Sequence, residues 1–329
     1  MLVLAGDVGG TNTRLALAEV AGAKIRIQEL KVYPSRSRSS LEEITEAFVP
    51  EGRRSFEMAC FGVAGPVWKG RAHLSNLPWV VDERRLSEIL GVPTEVMNDL
   101  EAMAWGVSLL APDELALLQE GEEQPEGNAA LIAPGTGLGE AGLFWDGREH
   151  RPFSSEGGHT DFAPSDKVER EFLVELSGRF GHVSWERVVS GPGLAALHQF
   201  LCRRGGTATE GCPLETIGGE DTGPEAITRA AKEDRCQTCV ETMKRFCRLL
   251  GAEAGNLALT VMATGGVWIG GGIAPDILHL LREGPFLEGF TAKGRLRKLM
   301  ERIPVRVILD EHVALRGAAR RAFRRRGVL

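Results

Sequence analysis

One internal repeat constrains the fold of this chain more than any other feature of its sequence. Residues 2–20 read LVLAGDVGGTNTRLALAEV, and residues 129–147 read AALIAPGTGLGEAGLFWDG. Both stretches consist of an apolar strand, a glycine-rich turn and a second strand. Such an echo predicts two related halves, each beginning with a hairpin whose turn is of the size that holds a phosphate group.

The rest of the chain predicts an α/β fold in which strands and helices alternate. Its 329 residues are enough for one large or two medium domains. Apolar runs predict strands at residues 2–7, 13–19, 24–32, 56–63, 94–98 and 303–309. Helices are predicted at residues 40–48, 82–90, 99–110, 167–179, 193–203, 224–257 and 312–326. Asp82 and Gly91 are expected to cap the second of these helices.

Composition and charge narrow the range of partners. Hydrophobic residues make up 43% of the chain and charged residues 26%, which is typical of a globular protein. The net charge of −6 argues against nucleic acid as the main partner. No window reaches the roughly 18 apolar residues of a membrane span, and the first residues lack the basic region of a signal peptide. We therefore expect a cytoplasmic protein with no membrane partner.

The first hairpin turn contains an acidic residue followed by two glycines, which carry no side chain. Gly9 and Gly10 let backbone N–H groups approach a bulky anion, and Thr11 adds a further donor. Asp7 is suited to hold Mg²⁺, directly or through water, and Arg14 could reach the same negative charge. A single diglycine more often marks an ordinary tight hairpin. The turn therefore predicts a phosphate site only in combination with other features.

Two further glycine clusters supply that combination. Residues 135–137 repeat the first turn, and two such turns could hold a triphosphate from both sides. The cluster ATGGVWIGGGIAP, at residues 263–275, would suit a flat adenine ring lying against backbone. Each cluster alone is explained by a bend at a sheet edge, but the three together favour a nucleotide. A Walker A loop is absent, and GTGLGE is followed by a strand where a dinucleotide fingerprint needs a helix.

Polar residues with the chemistry of a sugar site lie elsewhere. Asn98 and Asp99 stand where a strand ends and a helix begins, which is a common functional position in α/β sheets and equally an ordinary N-cap. Glu156 and His159 flank a diglycine, and Glu186 follows. The cluster offers many hydrogen bonds and little apolar surface, as a polyhydroxyl ligand requires. The alternative is a set of surface polar groups and helix caps.

The six cysteines do not indicate a disulfide framework in a chain of this length. Cys236 and Cys239 have zinc-like spacing, but they share one helical stripe with Met243 and Cys247. A second pair of closely spaced ligands is hard to find, and structural zinc usually needs four ligands. We therefore predict core or half-buried thiols at these positions.

Eight stretches of the chain, in order, resemble the bacterial glucokinase family. They are LAGDVGGTNTRLAL, FGVAGPV, HLSNLPWVVD, VMNDLEAMA, LIAPGTGLGEAGL, EGGHTDFAPSD, RVVSGPGL and GGVWIGGGIAP, and they cover essentially the whole sequence. A second group of bacterial sugar kinases, which includes related repressors, carries a cysteine-rich zinc motif after the histidine of its sugar site. Here EGGHTDFAPSD continues without a cysteine. The chain therefore resembles the zinc-free glucokinase group.

This resemblance implies an architecture. It is an α/β fold of the actin/hexokinase type, which is ribonuclease H-like, with two domains and an inter-domain cleft. The C-terminal helix of such a protein returns to the first domain. We therefore predict a small α/β domain at residues 1–110 plus 302–329 and a large α+β domain at residues 111–301. The resemblance also implies a homodimer.

The resemblance further implies roles for individual residues. Asp99 matches the catalytic base and a sugar ligand, and Asn98 matches the sugar ligand beside it. The remaining sugar ligands match Glu156, His159 and Glu186. With Arg14 added for its charge, the predicted nucleotide-binding residues are Gly6, Asp7, Val8, Gly9, Gly10, Thr11, Arg14, Gly135, Thr136, Gly137, Gly265 and Gly266. Asp7 is predicted to hold Mg²⁺ through water.

The implied reaction transfers the γ-phosphoryl group of MgATP to the 6-hydroxyl of D-glucose, which gives glucose 6-phosphate and ADP in the first step of glycolysis. The main alternative is an ATP-dependent kinase of another hexose or of an amino sugar. A sugar-binding transcription regulator would need a DNA-binding module, whereas this sequence starts at its first strand. An ATPase chaperone or cytoskeletal protein of the same fold would not need Glu156, His159 and Glu186.

Overall fold

The computed structural model of the chain describes residues 1–22, 24–49, 56–74, 76–122, 124–205 and 223–326. Its strands are β1 (Leu2–Val8), β2 (Asn12–Ala21), β3 (Lys24–Pro34), β4 (Met58–Val63), β5 (Val67–Trp68), β6 (Arg71–His73), β7 (Val80–Asp82), β8 (Thr94–Asn98), β9 (Leu115–Gln119), β10 (Ala129–Pro134), β11 (Leu138–Trp145), β12 (His150–Ser155), β13 (Gly266–Ile269) and β14 (Val305–Ile308). Its helices are α1 (Leu41–Phe48), α2 (Glu83–Leu90), α3 (Asp99–Val107), α4 (Lys167–Phe180), α5 (Gly191–Gly205), α6 (Pro224–Lys232), α7 (Gln237–Val261), α8 (Ile273–Asp276), α9 (Leu278–Leu281), α10 (Pro285–Thr291), α11 (Arg297–Met300) and α12 (Val313–Arg326).

The chain divides into two compact units. The first is built from Met1–Glu114, His150–Ser154 and the chain from Asp310 onward, and the second from Leu115–Glu149 and Ser155–Leu309. Our sequence prediction placed residues 302–309 with the first domain. In the structure β14 instead pairs with β13 and β9, so this segment belongs to the sheet of the second unit.

The first unit is organised around a sheet with the order β3-β2-β1-β4-β8. β1 pairs antiparallel with β2 and parallel with β4, which in turn pairs parallel with β8. Side chains alternate along β1, because successive residues of a strand point to opposite faces. Leu4 and Val8 belong to one buried cluster with Phe61, and Val3 belongs to another with Leu315 of α12. Both faces of the sheet are therefore covered.

The C-terminal helix α12 packs on the first unit. It contacts α3, β1 and β4. Glycines permit this close approach on both helices: a Cβ atom at Gly317 would overlap the carbonyl oxygen of Ala102, and one at Gly106 would overlap that of Val313. The first unit thus combines the beginning and the end of the chain.

The second unit repeats the core of this sheet. Its strands follow the order β11-β10-β13-β14-β9. β10 pairs antiparallel with β11 and parallel with β13, and β13 pairs parallel with β14. The series β11-β10-β13-β14 therefore has the order and the strand directions of β2-β1-β4-β8. The repeat predicted from the sequence is confirmed.

The helical part of the second unit differs from the prediction in one place. The single helix predicted at residues 224–257 is wrong, because α6 ends at Lys232 and α7 begins at Gln237. Asp234 between them has a φ of 51°, in the left-handed region, which ends a right-handed helix. Cys236 is the N-cap of α7, and it and Cys239 are buried, as predicted. None of the helices in the described part of the chain combines the length and the apolar character of a membrane span.

Candidate functional site

The first set of candidate residues lies at one edge of the sheet in the first unit. Val8, Val63 and Asn98 are paired in one row across β1, β4 and β8. These three strands are parallel, so their carboxyl ends meet at the same edge. Neighbouring strands lie about 4.7–4.9 Å apart, which puts Val8 and Asn98 about 10 Å apart. The turn after β1 and the start of α3 are therefore neighbours, as the predicted site requires.

The glycine turn after β1 is fixed by hydrogen bonds from behind. The N–H of Gly9 donates to the carbonyl of Asn12 at 3.0 Å. The Ser35 hydroxyl donates to the carbonyl of Gly9 at 2.7 Å, and the Ser35 N–H donates to that of Thr11 at 2.8 Å. Ser35 is fully buried. Sequence reasoning missed Ser35, because a serine after the proline that ends a strand is too common a signal.

Gly6 and Val8 lie beneath this turn. A Cβ atom at Gly6 would overlap the Phe61 ring and lie 3.1 Å from the Leu15 side chain. The side chain of Val8 is fully buried in the apolar core. Gly6 is therefore required for packing, and Val8 could offer a phosphate only its backbone. The place of both residues among the nucleotide contacts stays a prediction.

Asp7 meets the requirements for a position next to a cation. It stands opposite Arg14 in the β1–β2 hairpin, with its Oδ2 atom 3.1 Å from Nη1 of Arg14. Burial raises the pKa of Asp7 above its ordinary value, although Arg14 acts in the opposite direction. A nearby cation would favour the ionised form of such a carboxyl. Within the described residues no three His, Cys, Asp or Glu side chains form a metal cluster. A single carboxylate nevertheless fits Mg²⁺, which commonly takes one or two carboxylates with waters and phosphate oxygens.

Asn98 and Asp99 both lie at the start of α3, with different hydrogen bonds. The Oδ1 atom of Asn98 accepts from the N–H groups of Leu100 and Glu101 at 2.9 and 3.2 Å. Asn98 is therefore the N-cap, which corrects the alternative that Asp99 is the cap. Nδ2 of Asn98 donates to the carbonyl of Gly65 at 3.3 Å, which uses one of its two hydrogens. Asp99 is the first helical residue and is half-buried.

Gly62 allows α3 to start at this place, and sequence reasoning gave it no role. A Cβ atom at Gly62 would lie 3.4 Å from Cα of Asp99 and 2.8 Å from Cβ of Ala102. A larger residue would therefore push the beginning of α3 away from β4. Its signal is a glycine inside an apolar strand, which often marks close approach of another backbone.

The second set of candidate residues lies within the second unit. Nε2 of His159 is 3.9 Å from Oε2 of Glu156, and Nδ1 of His159 is 4.0 Å from Oε1 of Glu186. The structure therefore brings the three side chains together, as predicted. Their side chains are 58%, 56% and 30% exposed for His159, Glu156 and Glu186. Water screens ion pairs at such exposure, so their mutual attraction is weak and their polar atoms are available to a ligand.

Glu186 connects the two glycine turns of the second unit. Its N–H donates to the carbonyl of Gly158 at 2.8 Å. Its Oε2 atom accepts from the N–H of Leu138 at 3.1 Å, directly after the turn of Gly135–Gly137. A Cβ atom at Gly137 would overlap that same Oε2 atom, so the turn must remain bare. The predicted sugar ligand is thus attached to the predicted phosphate turn.

The Gly135 turn also lies against a helix N-terminus. Its carbonyl accepts from the N–H of Gly191 at 2.8 Å, and Gly191 is the first residue of the 15-residue helix α5. The partial positive charge of a helix N-terminus favours anions nearby. The sequence prediction identified the turn and missed the contribution of α5.

The structure places Gly265 and Gly266 at the end of β13 that lies away from the Gly135 turn. Both are buried at the amino end of β13, where the N–H of Gly265 donates to the carbonyl of Asn128 at 2.8 Å. Because β13 is four residues long, the two glycines lie about 13 Å from its carboxyl end. It is Gly271, at that end, whose added Cβ atom would touch Ala133 and Pro134 beside the Gly135 turn. Within the cluster predicted to bind adenine, the structure thus brings Gly271 next to the Gly135 turn. The nucleotide contacts of Gly265 and Gly266 stay a prediction.

This arrangement has counterparts among known proteins. The family model described as Glucokinase matches residues 4–325. The chain is similar to the glucokinase of Nostoc punctiforme, with 40% identity over 97% of this chain and 98% of that protein. It is also similar to the crystal structure of a glucokinase from an Antarctic psychrotroph, with a TM-score of 0.82 and 32% identity over 98% of this chain and 99% of the other.

A third likeness supports the fold alone. The crystal structure of the Balamuthia mandrillaris glucokinase in complex with glucose matches with a TM-score of 0.80 and 21% identity, over 98% of this chain and 93% of that chain. Together with the mixed sheets and covering helices of both units, these likenesses confirm the predicted α/β fold of the actin/hexokinase type.

Proposed function

The chain belongs to the glucokinase family and is an ATP-dependent glucose kinase, and we propose that the two sets of residues described above perform its reaction. The reaction transfers the γ-phosphoryl group of ATP to the 6-hydroxyl of D-glucose and releases ADP. The observation that carries the proposal is the convergence of Glu156, His159 and Glu186 on the two glycine turns of the second unit. The proposal requires that these side chains and Asp99 contact the same sugar.

Phosphoryl transfer depends mainly on positioning and on stabilising charge. The N–H groups of Gly9 and Gly135 already donate to the carbonyls of Asn12 and Gly137. The other backbone N–H groups of the two glycine turns would hold the phosphates, assisted by Arg14. Asp7 would hold Mg²⁺ through water, and the bound ion would neutralise charge on the β- and γ-phosphates. Gly271 and its neighbours would lie against the adenine. Ser35 and Glu186 already hydrogen-bond the two turns, and these bonds would hold the turns in place for the ligand.

Asp99 would act as the base. A carboxylate is a weak base for an alcohol, but the loose transition state of phosphoryl transfer needs little early deprotonation. Asp99 therefore has to orient the 6-hydroxyl and accept its proton late in the reaction. Its Oδ1 atom accepts the N–H of Leu100 at 2.9 Å, which limits the rotation of the carboxylate.

The other polar side chains would bind the remaining hydroxyls of the sugar. Glu156 and Glu186 are acceptors, and the ring nitrogens of His159 lie between them. The second hydrogen on Nδ2 of Asn98 adds a donor on the first unit. Such a site penalises a wrong stereoisomer, because a misplaced hydroxyl leaves a polar group unpaired.

We also propose that the enzyme acts in the cytoplasm at the start of glycolysis and is a homodimer. ATP is an intracellular nucleotide, which supports the location, and the family resemblance supports the dimer. Light scattering coupled to size-exclusion chromatography should give the mass of two chains. A mass of one chain at micromolar concentration would contradict the dimer.

The test of the proposed function is ADP release from MgATP with glucose, mannose, fructose, galactose and N-acetylglucosamine, run beside the Asp99→Ala variant. We expect strong turnover with glucose that is lost in the variant. Turnover with a different sugar alone would change the assigned substrate and leave the proposed mechanism in place. Wild-type activity in the Asp99→Ala variant would remove Asp99 from the role of base.

A further inference from the structure

A pair of buried carboxyl groups lies directly behind the sugar-binding residues of the second unit. Glu140 on β11 is 2% exposed and Glu253 on α7 is 4% exposed, and their two carboxyl groups interact electrostatically. Oε1 of Glu140 is fully buried and has no hydrogen-bond partner among the described residues. Two buried carboxylates cannot both remain ionised at this contact, since burial and like charge both oppose it. The pair must therefore share a proton.

Glu140 touches the turn that carries two of the sugar ligands. A Cβ atom at Gly157 would overlap Oε2 of Glu140, so this carboxyl lies directly against the turn between Glu156 and His159. Gly158, the next residue, lies equally close to the carbonyl of Leu138. Leu138 precedes Glu140 by two residues and holds the Glu186 carboxylate through its N–H. One short segment of β11 thus supports the whole sugar-binding set.

Glu253 is connected through Asn256 to a half-buried cation, Lys293. Oε2 of Glu253 accepts from Nδ2 of Asn256 at 2.8 Å. Lys293 donates from Nζ to Oδ1 of Asn256 at 2.6 Å and to the carbonyl of Ala252 at 2.7 Å. Lys293 favours ionisation of Glu253, the nearer acid, and leaves Glu140 as the carboxyl that holds the proton.

We propose that Glu140 is a positioning residue for glucose binding, because its proton-sharing contact with Glu253 holds the Gly157–Gly158 turn and so places Glu156 and His159. The proposal rests on the proposed function, since it assumes that these two side chains bind the sugar. When the last proton leaves, the repelling carboxylates separate, and the turn against Glu140 moves with them. Glucose affinity should then fall while the rest of the molecule stays folded.

The titration of the pair sets the pH range in which this occurs. Burial, reinforced by the charge of Glu253, raises the pKa of Glu140 to about 9. Burial raises the pKa of Glu253 to about 7. Groups whose pKa is raised by folding stabilise at low pH and lose that contribution as the pH rises through the folded value. One proton therefore remains on the pair until about pH 9, and the effect belongs to the alkaline range.

The experiment is a titration of the glucose dissociation constant between about pH 7 and pH 10 by calorimetry. If only the protonated pair binds, the wild-type Kd rises about tenfold between pH 8 and pH 10. The Glu140→Gln variant carries an amide that can always donate to Glu253. It should bind glucose like the wild type at neutral pH and show no alkaline rise. The Glu140→Ala variant should bind several-fold more weakly at every pH.

A second variant keeps the proposal testable if a Glu140 variant fails to fold. Glu253→Gln also removes the need for a shared proton, and it should flatten the profile in the same way. Thermal unfolding at neutral pH identifies any variant that has lost its fold. An alkaline rise of equal size in the wild type, Glu140→Gln and Glu253→Gln would overturn the proposal and point to another group, such as Lys293. Failure of the wild type to bind glucose at neutral pH would instead overturn the proposed sugar site itself.

Discussion

The two hairpins of the repeat share a backbone and differ in their chemistry. In the first, the row below the turn pairs Asp7 with Arg14. In the second, the corresponding row pairs Ala133 with Gly139, and the first charge comes one row later, at the buried Glu140. The first turn is held by the hydroxyl of Ser35, and the second by the carboxylate of Glu186.

The difference indicates a division of labour between the units. In the proposed mechanism, the first unit would supply the groups that act on the reacting atoms, which are the carboxylate for the metal and the base. The second unit would supply most of the sugar ligands and the helix N-terminus near the phosphates. Variants in the first unit should therefore lower kcat, and variants among the sugar ligands of the second should raise the KM and Kd for glucose.

The largest effect is expected for Asp99→Asn in the first unit. The amide cannot accept the proton of the 6-hydroxyl, and loss of a positioned acid–base group typically costs about 10²–10⁴-fold in rate. Steady-state kinetics should show this loss in kcat, with glucose binding retained. Glu101→Gln, in the first turn of the same helix, is the matched control and should keep wild-type kcat. Equal losses in the two variants would show that α3 as a whole, and not its first carboxylate, supports the reaction.

Asp7→Asn should lower the affinity of the enzyme for Mg²⁺. A residue that holds a metal through water typically contributes about 10–100-fold to metal affinity or activity. Activity measured against Mg²⁺ concentration should therefore shift to higher Mg²⁺, with the glucose Kd unchanged. An unshifted Mg²⁺ curve would assign Asp7 to the Arg14 ion pair alone.

In the second unit, Glu156→Gln should raise the glucose Kd about tenfold, because hydrogen bonds to a charged group contribute about 1.5–3 kcal/mol. The turnover at saturating glucose should stay close to that of the wild type. Asp161→Asn is a suitable control, since the Asp161 carboxylate pairs with His182 at 3.0 Å. If the control weakens binding as much as Glu156→Gln does, the effect is a general one on this loop.

The smallest effect is expected for Ser35→Ala, which removes the hydroxyl behind the first turn. The free energy of unfolding should fall by about 1–2 kcal/mol, since the buried carbonyl of Gly9 loses its donor. The KM for ATP should rise only a few-fold. Ser37→Ala provides the comparison, because its hydroxyl lies on an exposed segment and bonds the carbonyl of Pro34. Both variants are compared by denaturant unfolding. If they lost the same free energy of unfolding, the burial of Ser35 would not add to the stability that its hydroxyl contributes.

The sequence predicted features that depend on local chemistry. The capping residues Asp82 and Gly91 behave as expected: the Asp82 side chain accepts two N–H groups of α2, and Gly91 adopts a φ of 69°. The strand at Thr94–Asn98 has the predicted bounds. The repeat also predicted the hairpin that begins the second half, because the same apolar pattern recurs around a glycine turn.

The sequence alone does not show which end of a strand a residue occupies. Gly265 and Gly271 belong to similar glycine clusters, and only the pairing of β13 with β10 shows that they lie at opposite edges. Glu140 follows a recognised motif, yet nothing in the sequence shows that it interacts with Glu253 of a distant helix. Such contacts arise from tertiary packing, which local patterns do not specify.

The division of labour can be tested most directly by measuring the glucose Kd by calorimetry and kcat for Asp99→Asn and Glu156→Gln side by side. We expect Asp99→Asn to bind glucose within a few-fold of the wild type and to lose kcat. We expect Glu156→Gln to bind glucose weakly and to keep kcat at saturating sugar. If both variants lost affinity and kcat together, the two units would not have separate roles, and the division of labour would be contradicted.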